Sequence, residues 1–372
     1  MNSGQFKQLA QERIGELLDH FSDFKEPWQG FPHIYKTQQF DRRIIEKLVC
    51  DDTMKTIYHL LSGTMISYLR DRRASVVTYF YEASTRTRMS FERAAHLLGA
   101  TVIGTEAGGI FSSAVKGETL ADTVRVLSGA GLGIGYADLI IIRHKVPHII
   151  EKEAIPVARV PIINAGDGTH QHPTQALLDL ATIYLRFGKL DRINIAIVGD
   201  IKYSRTIRSL CYLLSKFDRV KIYLVSPEEL RVENDIRSHL DEEGVWYREE
   251  TDLNKILPLV DIIYFTRLQA ERFIDDQPQL YEKLIAQVPA YSLLPNNINL
   301  VPENTIVLHP LPIGDNEINE ALKKDPRIWA FIQTDVGVAT RIALINRIFR
   351  ELGKKQMHQN FKDVVFGNMR WA

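Results

Sequence analysis

Two hydroxyls and a guanidinium, Ser84, Thr85 and Arg86, crowd the point where an apolar run gives way to a helical pattern, and no other stretch of the chain is better equipped for chemistry. Val76, Val77, Tyr79 and Phe80 belong to a β-branched and aromatic segment, whereas Met89, Phe91, Ala94, Ala95 and Leu98 recur at helical spacing. The chain therefore turns at Ser84-Thr85 and opens a helix. Free N–H groups at a helix start, the positive end of its dipole, capping hydroxyls and Arg86 together suit a phosphate. The same features also fit an ordinary capped helix with surface arginines.

A second group surrounds His172. It follows the run Val160 to Asn164 and precedes a helical pattern opened by Pro173, which puts it beyond the carboxyl end of a strand, where sites in open α/β sheets collect. A lone histidine is more often structural than functional. Asp167, His170 and His172 raise the question of a metal, but their spacing matches no common zinc pattern, and no metal is expected. Arg205 follows the run Ile193 to Val198, and Arg267 follows Asp261 to Phe265. Both are strand-end positions where exposed arginines are common. Ser112 and Lys116 lie in a glycine-flanked stretch where a lysine is ordinarily solvated. Gly129, Gly131, Gly133 and Gly135 suggest a dinucleotide fingerprint, yet Ile134 stands where its third glycine belongs and the cluster follows a helix, so that reading fails.

These residues need a scaffold of alternating strands and helices. The first set has strands at 74–82, 101–105, 138–143 and 160–164, with helices near 86–98, 118–129, 147–153 and 173–187. The second has strands near 193–198, 220–225, 261–265 and 305–308, with helices near 204–216, 227–243 and 252–258. Such alternation predicts an α/β fold of two doubly wound parallel-sheet domains, joined by interdomain helices and preceded by an N-terminal helical extension. The expected divisions are an extension over 1–35, domains over 36–187 and 188–335, and a returning helix with a tail over 336–372. Residues 5–21 read as an amphipathic helix, 41–70 as helical, and Arg341 to Leu352 as the returning helix.

Composition narrows the possibilities. The chain has 372 residues, 45% hydrophobic and 25% charged, with 46 basic and 46 acidic side chains, the profile of a soluble globular protein without the basic excess that recruits nucleic acid. Two cysteines, Cys50 and Cys211, argue against a disulfide scaffold and for a reducing, cytoplasmic setting. No stretch has the roughly 18 uninterrupted apolar residues of a membrane span. The acidic, alternating start is expected to be neither a signal peptide nor a basic transit peptide.

The run Ser84-Thr85-Arg86-Thr87-Arg88 followed by Ser90-Phe91-Glu92 resembles the carbamoyl-phosphate-binding signature of the aspartate and ornithine carbamoyltransferases. Lys116 to Thr123, Arg143-His144, His172-Pro173-Thr174-Gln175, Gly199-Asp200 with Lys202 to Thr206, Thr266-Arg267-Leu268-Gln269 and His309-Pro310-Leu311-Pro312 follow in the order of the aspartate branch, over about residues 35–352. The resemblance implies that Ser84, Thr85, Arg86 and Thr87 hold the phosphate, that Arg143 adds a second guanidinium and that Gln175 contacts the carbamoyl amide. It also implies that His172, with Arg86 and Thr87, polarises the carbonyl oxygen as a neutral donor. For L-aspartate it implies Arg205 as a carboxylate ligand, Arg267 and Gln269 as the pair selecting aspartate over ornithine, and the backbone carbonyls of Pro310 and Leu311 as contacts for the amine. Ser112 and Lys116 would reach the active site of a neighbouring subunit in a homotrimer, Lys116 touching aspartate. Closure would bring the substrates together, and neither cofactor nor metal is implied. The chain departs from the family pattern at Ile313 for a usual arginine, Ala270 for a common lysine and His170 for a common asparagine. Two alternatives remain, a carbamoyltransferase for another amino acid and a non-catalytic regulatory homologue, and separate regulatory chains are an open matter.

Overall fold

The computed structural model describes Gln8, Glu12, residues 33–64, Leu69, 73–106, 117–267, 277–314 and 317–366, the stretch 351–366 as backbone only. The chain forms two compact units, one spanning Gln175–Val336, the other built from the described residues before Gln175 and from Gly337 onward. Both divisions fall inside helices, Pro173–Phe187 and Ala330–Phe366.

In the first unit, β1 (Ser75–Phe80), β2 (Thr101–Thr105), β3 (Leu139–His144) and β4 (Ile162–Asp167) make a parallel sheet in the order β2-β1-β3-β4. In the second, β5 (Asn194–Val198), β6 (Lys221–Val225), β7 (Trp246–Glu250), β8 (Ile262–Phe265) and β9 (Ile306–Leu308) follow the order β7-β6-β5-β8-β9, again all parallel. Parallel strands need crossover helices, which cover both faces, so inner strands are apolar throughout. Every residue of β3 and of β8 is buried accordingly. Val77, Ile140, Ile142 and Ile162 pack against Leu120, Val124 and Leu127 of the helix Leu120–Leu127. In the second unit Val198, Ile263, Phe265 and Val307 pack with Leu253, Ile256 and Ile318.

All eight expected strands are present within a few residues, in the expected two sets. The ninth, β7, has no counterpart in the sequence reading because it is an edge strand whose exposed side chains carry charge. Arg248 pairs with Glu250, and Glu249 accepts from Arg237 at 3.0 Å, so the period-two apolar signal is missing. The helix expected over 227–243 breaks into a short turn, Glu228–Leu230, and the helix Asn234–Glu242, with Arg231 extended between them at φ −60°, ψ 157°. The helix Pro278–Gln287 was not anticipated either. Residues 42–62 are helical as expected, with a π-helical stretch at Glu46–Thr53. Of the expected helix over 5–21 only Gln8 and Glu12 lie among the described residues, both helical, their side chains bonded at 3.0 Å. The glycine cluster makes a tight loop. Gly129 has φ +74° and a Cβ there would meet Gly135 N at 2.6 Å, so close backbone approach accounts for that glycine.

Both cysteines are buried and neither forms a disulfide, and burial pushes the Cys211 thiol up to about 12. Since the thiolate is the reactive form, neither thiol should react with a maleimide at neutral pH in the native chain, and both should react once it is unfolded. Rapid labelling of the folded protein would contradict this packing.

Candidate active site

Strand order dictates where ligands can bind. From β1 the chain passes through the helix Thr85–Leu97 to β2 on one side, then crosses to β3 on the other. The winding therefore reverses between β1 and β3, and a crevice opens beyond their carboxyl ends. Ser84 is the N-cap of the helix leaving β1, and Arg143 lies on β3 directly opposite Phe80. The buried Arg143 guanidinium donates to Glu82 at 3.0 Å and to the Ala165 carbonyl at 3.2 Å, which fixes its plane across three strand ends.

The two arginines at the helix mouth differ. Arg88 faces Glu92 and Glu106, each at 3.6 Å, whereas exposed Arg86 has no acidic partner among the described residues. Thr87 is buried beside it, and the Ser84 N–H donates to Glu106 at 3.0 Å. A helix N-terminus with an unneutralised guanidinium attracts an anion.

At the end of β4 a buried carboxylate, Asp167, shapes the loop leading to His172. It accepts from Asn164 Nδ2 at 2.9 Å and from the backbone of Gln171 at 3.1 Å and of His148 at 3.0 Å. His172 is itself buried, immediately before the helix Pro173–Phe187. Ser112 and Lys116 lie outside the described residues, as do Gln269 and Ala270.

The second sheet repeats the logic. The chain runs β5 to β6 to β7 on one side and returns to β8 and β9 on the other, so the reversal lies between β5 and β8. Arg205 opens the helix Arg205–Leu214 that follows β5, and exposed Arg267 lies two residues past β8. The loops after these strands are bound together: Thr266 N–H donates to Val198 O at 2.9 Å, and Gly199, at φ +114°, lets the Thr266 carbonyl come where a Cβ would sit only 2.5 Å away. Arg208, one turn beyond Arg205, is engaged by Glu233 and Asp235.

A polar network within this unit was not foreseen. Asp179, fully buried, accepts from Gln175 Nε2 at 2.8 Å, Gln333 Nε2 at 2.6 Å and Tyr264 OH at 3.0 Å. Gln333 Oε1 in turn accepts from His309 N–H at 2.9 Å, and His309 Nδ1 accepts from Leu311 N–H at 2.8 Å. The network thus fixes both the Gln175 amide and the Pro310-Leu311 backbone, where Leu311 takes the left-handed φ of +59°. Burial, reinforced by Asp179, raises the Tyr264 hydroxyl well above its ordinary pKa, so it stays a donor. The signal was available: Asp179 is a lone acid among Ala176, Leu177, Leu178, Leu180 and Ala181, four residues after Gln175.

Two parallel α/β units, each presenting arginine and a helix N-terminus at its winding reversal, define a two-domain protein made for anionic ligands. The chain belongs to the aspartate/ornithine carbamoyltransferase family: residues 5–185 match its carbamoyl-P binding domain and residues 191–348 its Asp/Orn binding domain. It is 45% identical over 312 residues to the chloroplastic aspartate carbamoyltransferase of Arabidopsis thaliana, covering 84% of this chain and 76% of that protein. To the aspartate carbamoyltransferase catalytic subunit of Vibrio cholerae it is 42% identical over 276 residues, covering 74% and 85%. The Trypanosoma cruzi aspartate transcarbamoylase, solved in complex with carbamoyl phosphate and aspartate, superposes with a TM-score of 0.76 at 34% identity, over 84% of this chain and 95% of that one.

Removing the Tyr264 hydroxyl tests the network independently of any activity. Tyr264→Phe deletes a hydrogen bond to a buried carboxylate and is expected to lower unfolding stability by about 1.5–3 kcal/mol, read by urea denaturation. A loss below about 0.5 kcal/mol, the range of inert surface changes, would deny Asp179 this anchoring role.

Proposed function

We infer that the chain transfers the carbamoyl group of carbamoyl phosphate to the amino group of L-aspartate, giving N-carbamoyl-L-aspartate and phosphate, a step of pyrimidine biosynthesis. The observation that carries this reading is Arg86, left without a carboxylate partner among the described residues at the mouth of the helix Thr85–Leu97 while Arg88 is engaged. A dianionic phosphate supplies the missing negative charge. Ser84, Thr85, Thr87 and the first N–H groups of the helix bind its oxygens, and Arg143 adds a cation from β3. Arg86, Thr87 and a neutral His172 donate to the carbamoyl oxygen, so the carbonyl carbon becomes more electrophilic and the charge that develops on oxygen is stabilised. Gln175 holds the carbamoyl amide.

L-aspartate brings two carboxylates, for which Arg205 and Arg267 are the counterions, with Gln269 completing the selection of aspartate. The carbonyls of Pro310 and Leu311 accept from the amine and aim its lone pair. The nitrogen attacks the carbamoyl carbon from about 3–3.5 Å, the C–O bond to phosphate breaks, and the departing phosphate takes the amine proton. No side chain of the set is needed as a base.

The working form is a homotrimer in which Ser112 and Lys116 serve a neighbouring subunit, Lys116 reaching its aspartate. Met89, Ile103, Val126, Leu132, Ile134 and Tyr136 support association, each half or more exposed in the single chain. The domain divisions proposed are 1–35, 36–187, 188–335 and 336–372. A cytoplasmic location fits two cysteines outside any disulfide, although the Arabidopsis relative is named chloroplastic.

Purified protein given carbamoyl phosphate should form ureido product with L-aspartate and not with L-ornithine. Arg86→Ala should lower kcat by about 10²–10³, the effect of losing one donor to developing charge, while Arg267→Ala should chiefly raise the KM for aspartate. Comparable turnover of ornithine would overturn the substrate assignment. Lys116→Ala and Arg86→Ala subunits, each inactive alone, should regain activity when dissociated and reassembled together; failure of an assembled mixture to recover would remove the shared site.

A further inference from the structure

Outside the residues assigned to substrate, His148, Glu151 and His170 bring two imidazoles and a carboxylate together, their ligand atoms all within 4.8 Å of one another. We propose that these three side chains form a binding site for one divalent transition-metal ion, with zinc the best match to two nitrogens and a carboxylate oxygen. The site belongs wholly to the first unit and does not depend on the catalytic reading. It also departs from the metal-free expectation drawn from the sequence, where His172 was weighed as a ligand; His172 has no part in it.

Orientation is the first argument. Asp167 Oδ2 lies 2.9 Å from His170 Nδ1, and because a carboxylate only accepts, the ring nitrogen must donate. The proton is thereby held on Nδ1 and the lone pair of Nε2 points away, the carboxylate–histidine arrangement that prepares an imidazole for a metal. Asp167 can impose this because it is buried and its other oxygen is tied to Asn164 and Gln171.

Preorganisation is the second. His148 sits in the left-handed region at φ +61°, a costly conformation for a side-chain-bearing residue, and its N–H is tethered to the same Asp167 Oδ2 at 3.0 Å. The two imidazoles consequently lie side by side, ring centroids 3.6 Å apart and planes inclined by 35°. The loops carrying them are locked together: Gly168 N–H donates to His144 O at 2.9 Å, and a Cβ on Gly168 would meet Pro147 N at 2.6 Å. Glu151 comes from the next turn, in Ile150–Ala154, where Lys36 pairs with its Oε1 at 2.7 Å and restrains the carboxylate. Ligands about 2.0–2.1 Å from a tetrahedral ion stand roughly 3.3 Å apart, so binding would draw together atoms that here lie within 4.8 Å of one another. Three protein ligands leave a fourth position for water or an anion.

The ion would brace the loops after β3 and β4, the first following Arg143 on β3 and the second leading to His172.

The full-length protein, stripped with a chelator, is titrated with zinc by calorimetry and its metal counted after dialysis. One saturable zinc per chain is expected, replaceable by cobalt(II) with the visible absorption of a tetrahedral site. His170→Asn and Glu151→Gln should each weaken binding at least tenfold while the metal-free proteins unfold at the wild-type temperature. No saturable binding, or equal affinity in the wild type and both variants, would overturn the proposal.

Discussion

The controlling constraint is electrostatic. A chain with 46 basic and 46 acidic side chains must hold strongly anionic ligands without a net positive surface, so its cations have to be distributed unequally. The structure achieves this locally. Arg88 and Arg208 are matched with carboxylates that fix helix and loop geometry, while Arg86, one turn or less away from Arg88, is left without one among the described residues. An unneutralised guanidinium beside a helix N-terminus carries a field that the ligand itself completes. Binding free energy is then available at the substrate rather than consumed in internal ion pairs.

Within each unit, much of the architecture follows from having to bring such cations to one edge of its sheet. A parallel sheet delivers all its strand ends to one edge, and a winding reversal separates two neighbouring crossovers so that a crevice forms between them. The first sheet reverses between β1 and β3 and the second between β5 and β8, and at each reversal the residue types are alike: a short polar loop, an arginine, and a helix start. What differs is the support. The first unit relies on Arg143 held across Glu82 and Ala165; the second relies on Asp179, whose three donors come from Gln175, Tyr264 and Gln333. A buried carboxylate with that many donors is stable because its desolvation is compensated locally, and removing any one donor transmits to the others.

The sheets were legible in the sequence because inner parallel strands are continuous apolar runs, and β1, β3, β5 and β8 could hardly be anything else. Strand β7 was not, since Arg248, Glu249 and Glu250 satisfy the needs of an edge and erase the apolar period. The candidate site residues were picked out by motif and by position, and Ser84, Arg143, Arg205 and Arg267 do lie at or just past strand ends. Their supports were less legible: Asp179 is visible as an isolated acid in an apolar helix, but its partners Tyr264 and Gln333 lie 85 and 154 residues away. Nothing local in sequence encodes a pairing over that distance. Likewise nothing in sequence links His148 to His170 until the pairing of β3 with β4 sets their loops side by side.

Asp167 illustrates how one buried charge can serve two ends. Ionised and enclosed, it would cost on the order of several kcal/mol without compensation, so the loop beyond β4 must fold to present donors to it. The donors it collects, from Asn164, Gln171, His148 and His170, come from β4, from the residue before His172 and from the loop after β3. Placing His172 and orienting His170 are therefore consequences of the same demand. A change at His170 alone leaves three donors in place and should spare the path to His172, whereas a change at Asp167 releases both loops at once.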